Sequence, residues 1–166
     1  DPIAQYQDLL PLVTTSLSKP VTNVRCLAVG CLGLLCLWST TICDRYKRII
    51  MQVVRGGFEQ VIVRGQALKC VVDMACVHKE LFKDDAELNS VLLRSQDSED
   101  AELVLIAAEG AAKLLFAGVV CEPGLFANLL KFFFLSNLLP SDEDGEDQSE
   151  IDPASANARL QQVLSI

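Results

Sequence analysis

Seven cysteines, one histidine and a run of cations near residue 50 are the groups in this 166-residue chain with chemistry to offer. Thiolates could hold zinc or pair as disulfides. However, Cys26, Cys31, Cys36, Cys43, Cys70, Cys76 and Cys121 contain no C-x2-C spacing, and an odd number cannot pair completely. On a helix, the five-residue steps from Cys26 to Cys31 to Cys36 turn each thiol by about 140°, so the three diverge instead of meeting at one ion. All seven read as small buried hydrophobes in a reducing compartment. A nucleophilic relay would have to run through His78, which stands at a predicted helix end beside Lys79 and Glu80 and reads as a solvated end residue. There is no phosphate-cradling glycine loop, no dinucleotide fingerprint and no carboxylate pair in an apolar setting. These residues predict no enzyme, no cofactor, no metal site and no small-molecule substrate.

What remains is binding chemistry. On a helical wheel of residues 45–55, Arg45, Arg48, Gln52 and Arg55 share one side, with Lys47 flanking, while Tyr46, Ile49, Ile50, Val53 and Val54 share the other. The pattern predicts a buried apolar face and an outward basic stripe, ordinarily a solvated face, with phosphate contact as the alternative. Contact by Arg45, Lys47, Arg48 and Arg55 would give a log-affinity against log-salt slope of about −3.6. A second candidate surface is LFANLLKFFFLSNLL, residues 125–139, where Phe126, Leu130, Phe133 and Phe134 could line a groove for a partner peptide. A third lies in SDEDGEDQSEID, residues 141–152. Seven of its twelve residues are acidic, and Ser141 and Ser149 each precede an acidic residue by three positions, as acidophilic kinases accept. That composition predicts an acidic, modifiable insertion.

The elements that carry these groups are helical. Apolar residues recur at helical spacing almost throughout, and Gly and Pro positions divide the chain into helices near 3–18, 21–37, 42–56, 59–77, 84–94, 101–117, 124–139 and 154–166. No apolar run reaches the roughly 18 residues needed to cross a membrane, and DPIAQYQDLL lacks the regions of a signal peptide, so no membrane is expected as a partner. The chain stops in an apolar helical pattern, LQQVLSI, as expected of a fragment of a longer protein. Residues 1–83 carry net +4 and residues 84–166 net −12, which together make the overall −8. Only the first half could face an anion.

The helices repeat. VRCLAVGCL at 24–32 aligns with VRGQALKCV at 63–71, an offset of 39, and a weaker copy, AAEGAA, begins at Ala107. A fourth helix of this kind begins at Ala156, displaced by about the length of the acidic insertion. Helix pairs repeating near 40 residues predict an all-α, HEAT-repeat α-solenoid of about four antiparallel pairs, spanning residues 1–166 as one domain. Residues 24–37 are apolar on every side, as suits an inner helix enclosed by neighbours. Gly30, Gly33 and Gly110 are expected to permit close helix approach, at about 1 kcal/mol each relative to Ala. Arg25 and Arg64, at one repeat position in apolar helices, should snorkel or pair with an acceptor on a neighbouring repeat.

VRCLAVGCLGLLCL, AAEGAAKLLFAG (107–118) and the closing ARLQQVLSI together resemble the C-terminal HEAT domain of the CAP-G-type non-SMC subunits of condensin, in order and spacing across nearly the whole chain. The chain departs from that pattern at Trp38–Cys43 and at Gln162. The resemblance implies a non-catalytic scaffold that binds the kleisin subunit of condensin (CAP-H type). It also implies contact with the SMC subunits indirectly, and help in clamping double-stranded DNA during mitotic chromosome condensation. It places the protein in the nucleus and on chromosomes, with a cytoplasmic phase in part of the cell cycle. A HEAT adaptor for another intracellular complex would share the repeats and differ at the AAEGAAKLLF block.

Overall fold

The structure, a computed structural model, describes residues 8–138. Among them are eight helices and no strand: α1 (Leu9–Ser16), α2 (Thr22–Trp38), α3 (Thr40–Arg55), α4 (Val61–Val77), α5 (Lys79–Phe82), α6 (Ala86–Gln96), α7 (Ala101–Phe116) and α8 (Pro123–Leu138). The short α5 occupies a stretch, 78–84, that the sequence pattern leaves as a break. The expected helix at 154–166 and the acidic insertion at 141–152 lie outside the described residues. None of the described helices is long and apolar enough to cross a membrane.

Contacts between helices form two rows. α2, α4 and α7 lie side by side as an inner row; α3, α6 and α8 form an outer row; α1 packs on α2. Two of the outer helices lead into the inner helix they pack on, α3 into α4 and α6 into α7, so the described residues form an α-solenoid of HEAT type built from a repeating pair. α4 is enclosed by α2, α3 and α7, which explains why it buries Val63, Gly65, Ala67, Leu68, Cys70, Val71, Val72, Met74 and Ala75 and keeps only a narrow polar side of Gln66, Lys69 and Asp73.

Two glycines set the spacing of the inner row. A Cβ added at Gly33 would collide with Cys70 Sγ and lie 2.9 Å from its Cβ, and one added at Gly110 would lie 2.5 Å from Val72 Cγ2. Only glycine lets α2 and α7 come so near to α4. Gly30 differs from expectation: its added Cβ would stand 3.4 Å from Gln66 Nε2, an ordinary contact, so that position does not require glycine.

Turns are fixed by short polar side chains. Ser39 alone separates α2 from α3; its extended backbone ends one helix while its hydroxyl accepts from Ile42 N and starts the next. Asp85 accepts from the backbone N–H of Glu87 and Leu88 at the start of α6, and Asp100 from that of Leu103 at the start of α7. His78 is not a solvated end residue. It is half-buried and bridges, Nε2 donating to Cys36 O at 2.8 Å and Nδ1 lying 3.3 Å from the Thr40 hydroxyl, so it ties the end of α4 to the α2–α3 turn.

Arg25 and Arg64 use their common repeat position alike. Each reaches back to carbonyls earlier in the chain: Arg64 Nε donates to Val54 O in the last turn of α3, and Arg25 Nη1 donates to Lys19 O and Pro20 O in the loop between α1 and α2. Arg25 also grips Glu59, Nη2 to Oε1 at 2.7 Å, with both side chains largely covered. The hydrogen bond from Arg25 holds the Glu59 carboxyl below its ordinary value of 4.5. A depressed carboxyl stabilises the fold above the unfolded pKa, and that contribution is lost as pH falls through the folded value. Glu59→Gln is therefore expected to lower the denaturation midpoint at about pH 7, with the gap to wild type closing as pH falls below the ordinary carboxyl value. A gap that stays constant as the solution is acidified would contradict this role.

Candidate nucleic-acid and partner interface

α3 carries the basic residues. It buries Ile42, Cys43, Ile50, Met51 and Val54 against the inner row, which turns Arg45, Arg48 and Gln52 to the surface. The four cations expected to form one stripe have two different environments. Arg45 and Arg48 are exposed, Arg45 lying 5.4 Å from the Tyr46 ring centre. Lys47 is turned aside: only 14% of its side chain is exposed, and Nζ donates to Leu81 O at 3.0 Å, lies 3.3 Å from Asp44 Oδ1 and sits 5.5 Å from the centre of the Phe82 ring. Arg55 forms an ion pair with Glu87 at the start of α6, 2.9 Å away, and donates to the Glu87 carbonyl. Lys47 and Arg55 thus join α3 to α5 and α6. Arg45 and Arg48 keep the outward, uncommitted character expected of all four; Arg55 is exposed but paired, and Lys47 is covered.

α8 presents the aromatic surface. Leu125 and Leu129 face inward, Asn128 donates to Gln96 Oε1 on α6, and Phe126, Leu130 and Phe134 form an exposed ridge at four-residue steps. Phe133 is half-buried and meets Phe134 edge to face, ring centres 5.5 Å apart. The structure therefore brings Phe126, Leu130, Phe133 and Phe134 to one side of α8. Ser141 and Ser149 lie outside the described residues.

The cysteines divide as well. Cys36, Cys43 and Cys70 are buried, and burial pushes their thiols up, Cys36 to about 12 and the other two to about 11. Such thiols carry almost no thiolate at neutral pH and act as packing groups. Cys76, half-buried, is also raised by burial. Cys31 and Cys121 are exposed, contrary to the expectation that all seven are buried. Among the described residues, no group of three His, Cys, Asp or Glu side chains is placed to hold a metal ion.

A sequence profile of the family described as nuclear condensing complex subunits, C-terminal domain, matches residues 5–166. The chain belongs to this family. Consistent with membership, this condensin-subunit domain is 29% identical over 139 residues to condensin complex subunit 3 of Saccharomyces cerevisiae (strain ATCC 204508 / S288c). The match covers 80% of the chain and 13% of the yeast protein, so the condensin-subunit domain spans a small part of that relative's length. The residues that carry the family resemblance have structural roles. Gly110 in AAEGAAKLLF is the close-approach residue of α7, and the paired V-R segments open the two adjacent inner helices. Sequence reasoning missed Leu81, Phe82 and Glu87, which engage Lys47 and Arg55.

Proposed function

We propose that this domain serves condensin as a non-catalytic scaffold that holds a segment of the kleisin subunit and contributes with it to clamping double-stranded DNA in mitotic chromosome condensation. The observation that carries this reading is the profile match over residues 5–166, nearly the whole chain, on a helical array whose outward groups suit binding. The protein then works in the nucleus and on chromosomes, with a cytoplasmic phase in the cell cycle, and ATP chemistry belongs to the SMC subunits. Within this reading, the α8 ridge is the seat for an apolar kleisin segment, and Arg45 and Arg48 are the cations that meet phosphate.

The test is co-purification of the full-length protein with the kleisin subunit of condensin. A stoichiometric complex is expected. Phe126 and Phe134 are each more than half exposed, so replacing both by serine should leave the thermal midpoint nearly unchanged. Loss of two aromatic anchors should weaken capture on the order of tenfold or more. No complex with wild-type protein would overturn the reading; full capture by the double variant would remove the kleisin seat from α8.

A further inference from the structure

The joints between neighbouring helices differ in what they bury. α2 meets α4 with Gly33 against Cys70, α4 meets α7 with Val72 against Gly110, and both contacts are apolar. α3 is fastened to α6 by the charged pair of Arg55 and Glu87. The joint of α6 with α8 is of another kind. There Asn128 Nδ2 donates to Gln96 Oε1 at 3.2 Å, one amide to another. Gln96 is only 4% exposed, and its Nε2 has no hydrogen-bond partner. Asn89 Oδ1, two turns earlier on α6, is in the same condition.

Among the described residues these two are the buried side-chain polar atoms left unpaired, one a donor and one an acceptor. Seven residues of helix set them about 10 Å apart, too far to satisfy each other. Turning the Gln96 and Asn128 amides over together keeps their bond but strands Gln96 Oε1 in place of Nε2. The closed joint therefore withholds a hydrogen bond that water would supply. Asn89, Leu93 and Gln96 follow at steps of four and three along one stripe of α6. Leu93 and Gln96 identify that stripe as the side facing α8: a Cβ added at Gly124 would stand 3.3 Å from Leu93 Cδ2, and Gln96 holds Asn128.

The link into α8 is firm up to one point. Gly118, at φ +68°, ends α7; Val119 N–H donates to Leu114 O at 2.9 Å, and the side chains of Val119 and Val120 are buried. Cys121, next in the chain, is exposed, and Glu122 is half-buried. We propose that Cys121 and Glu122 form a hinge about which α8 swings away from α6 as one body, opening the seam at Gln96 and Asn128 while α7 keeps its place on α4. Opening hydrates the stranded amide, which offsets part of the cost of uncovering Leu125 and Leu129, the buried leucines of α8. The ridge of Phe126, Leu130 and Phe134 rides on the moving helix, so this joint sets where the ridge stands.

Native-state hydrogen exchange of the full-length protein, followed by mass spectrometry, reads the swing. Amides of α8 are expected to exchange together, on the order of tenfold or more faster than those of α4 and α7. Gln96→Leu combined with Asn128→Leu replaces both amides by apolar groups of similar size, so no polar atom is stranded at the seam. That variant should slow exchange in α8 by on the order of tenfold and leave α4 and α7 unchanged. Exchange in α8 no slower than in wild type overturns the proposal. So does a wild-type protein in which α7 and α8 open in one step, or one whose rates rise gradually toward Leu138, which is fraying from an end. Should the double variant not fold, the wild-type rates decide alone. No partner enters these measurements, so their outcome is independent of whether kleisin binds.

Discussion

Gly110→Ala is expected to lower the unfolding free energy by about 1–3 kcal/mol, the cost of inserting a methyl group into a packed joint. Its new Cβ would lie 2.5 Å from Val72 Cγ2, closer than carbon atoms approach without displacement. Val72 cannot swing clear: it is buried in α4, and a β-branched side chain in a helix has one strongly preferred rotamer. The strain must therefore be relieved by pushing α7 away from α4. Val72→Ala alone removes two methyl groups from the core and should also destabilise, by about 1–2 kcal/mol. Combined, the substitutions exchange which helix carries the methyl group, so the double variant should be more stable than the two single costs predict, with coupling of at least about 0.5 kcal/mol. Urea denaturation of the four proteins measures this. Additive costs would mean that Gly110 is not a contact-limited position.

The second large effect separates two kinds of basic residue on α3. Lys47→Glu is expected to destabilise by about 2–3 kcal/mol, because it removes a charge-assisted bond to Leu81 O and sets a carboxylate against that carbonyl, Asp44 and the Phe82 ring. Lys47→Met keeps the aliphatic stem over Phe82 and should recover part of the loss. Arg45→Glu and Arg48→Glu alter exposed side chains and should change stability by no more than about 0.5 kcal/mol. If these two arginines meet phosphate in the kleisin-bound protein, their joint reversal weakens duplex binding and flattens the salt slope by about 1.8, half of what four contacts would give. Arg55 contributes little to that slope while paired with Glu87, and the half-exposed pair itself is worth under about 1 kcal/mol. Duplex titrations across salt concentrations, alongside denaturation curves, distinguish the two classes. An unchanged slope in the Arg45/Arg48 variant would make the surface only a solvated face; an unchanged midpoint in Lys47→Glu would remove its structural role.

Charge reversal of all four cations together would therefore be misread. Any lost DNA affinity would mix an electrostatic effect at Arg45 and Arg48 with an α3–α5 joint loosened at Lys47. The conservative partner for each test follows from the contacts: lysine at 45 or 48 keeps the charge, and methionine at 47 keeps the packing.

How much of this was legible before folding follows from the range of the interactions concerned. Helix content, the repeat offset of 39 and the family-bearing glycine of AAEGAAKLLF are local or periodic features, and the sequence by itself determined them. A period needs no partner to be read, and a glycine inside an apolar helix carries a propensity cost that points to close packing. The cysteines were legible only in part: burial was expected of all seven and holds for Cys36, Cys43 and Cys70, while Cys31 and Cys121 are exposed. Only the tertiary structure decided which side of α2 is covered, because an all-round apolar helix has no preferred face; Leu27, Cys31 and Leu34 are exposed while Leu32 and Cys36 are not. The fates of Lys47 and Arg55 were equally beyond a helical wheel. Their partners, Leu81 and Glu87, lie more than thirty residues along the chain and are brought near α3 only when α4 reverses direction and α6 returns to the outer row behind α5. A wheel places a charge on a side of its own helix, and the neighbour that folds onto that side decides whether the charge meets water or a carbonyl.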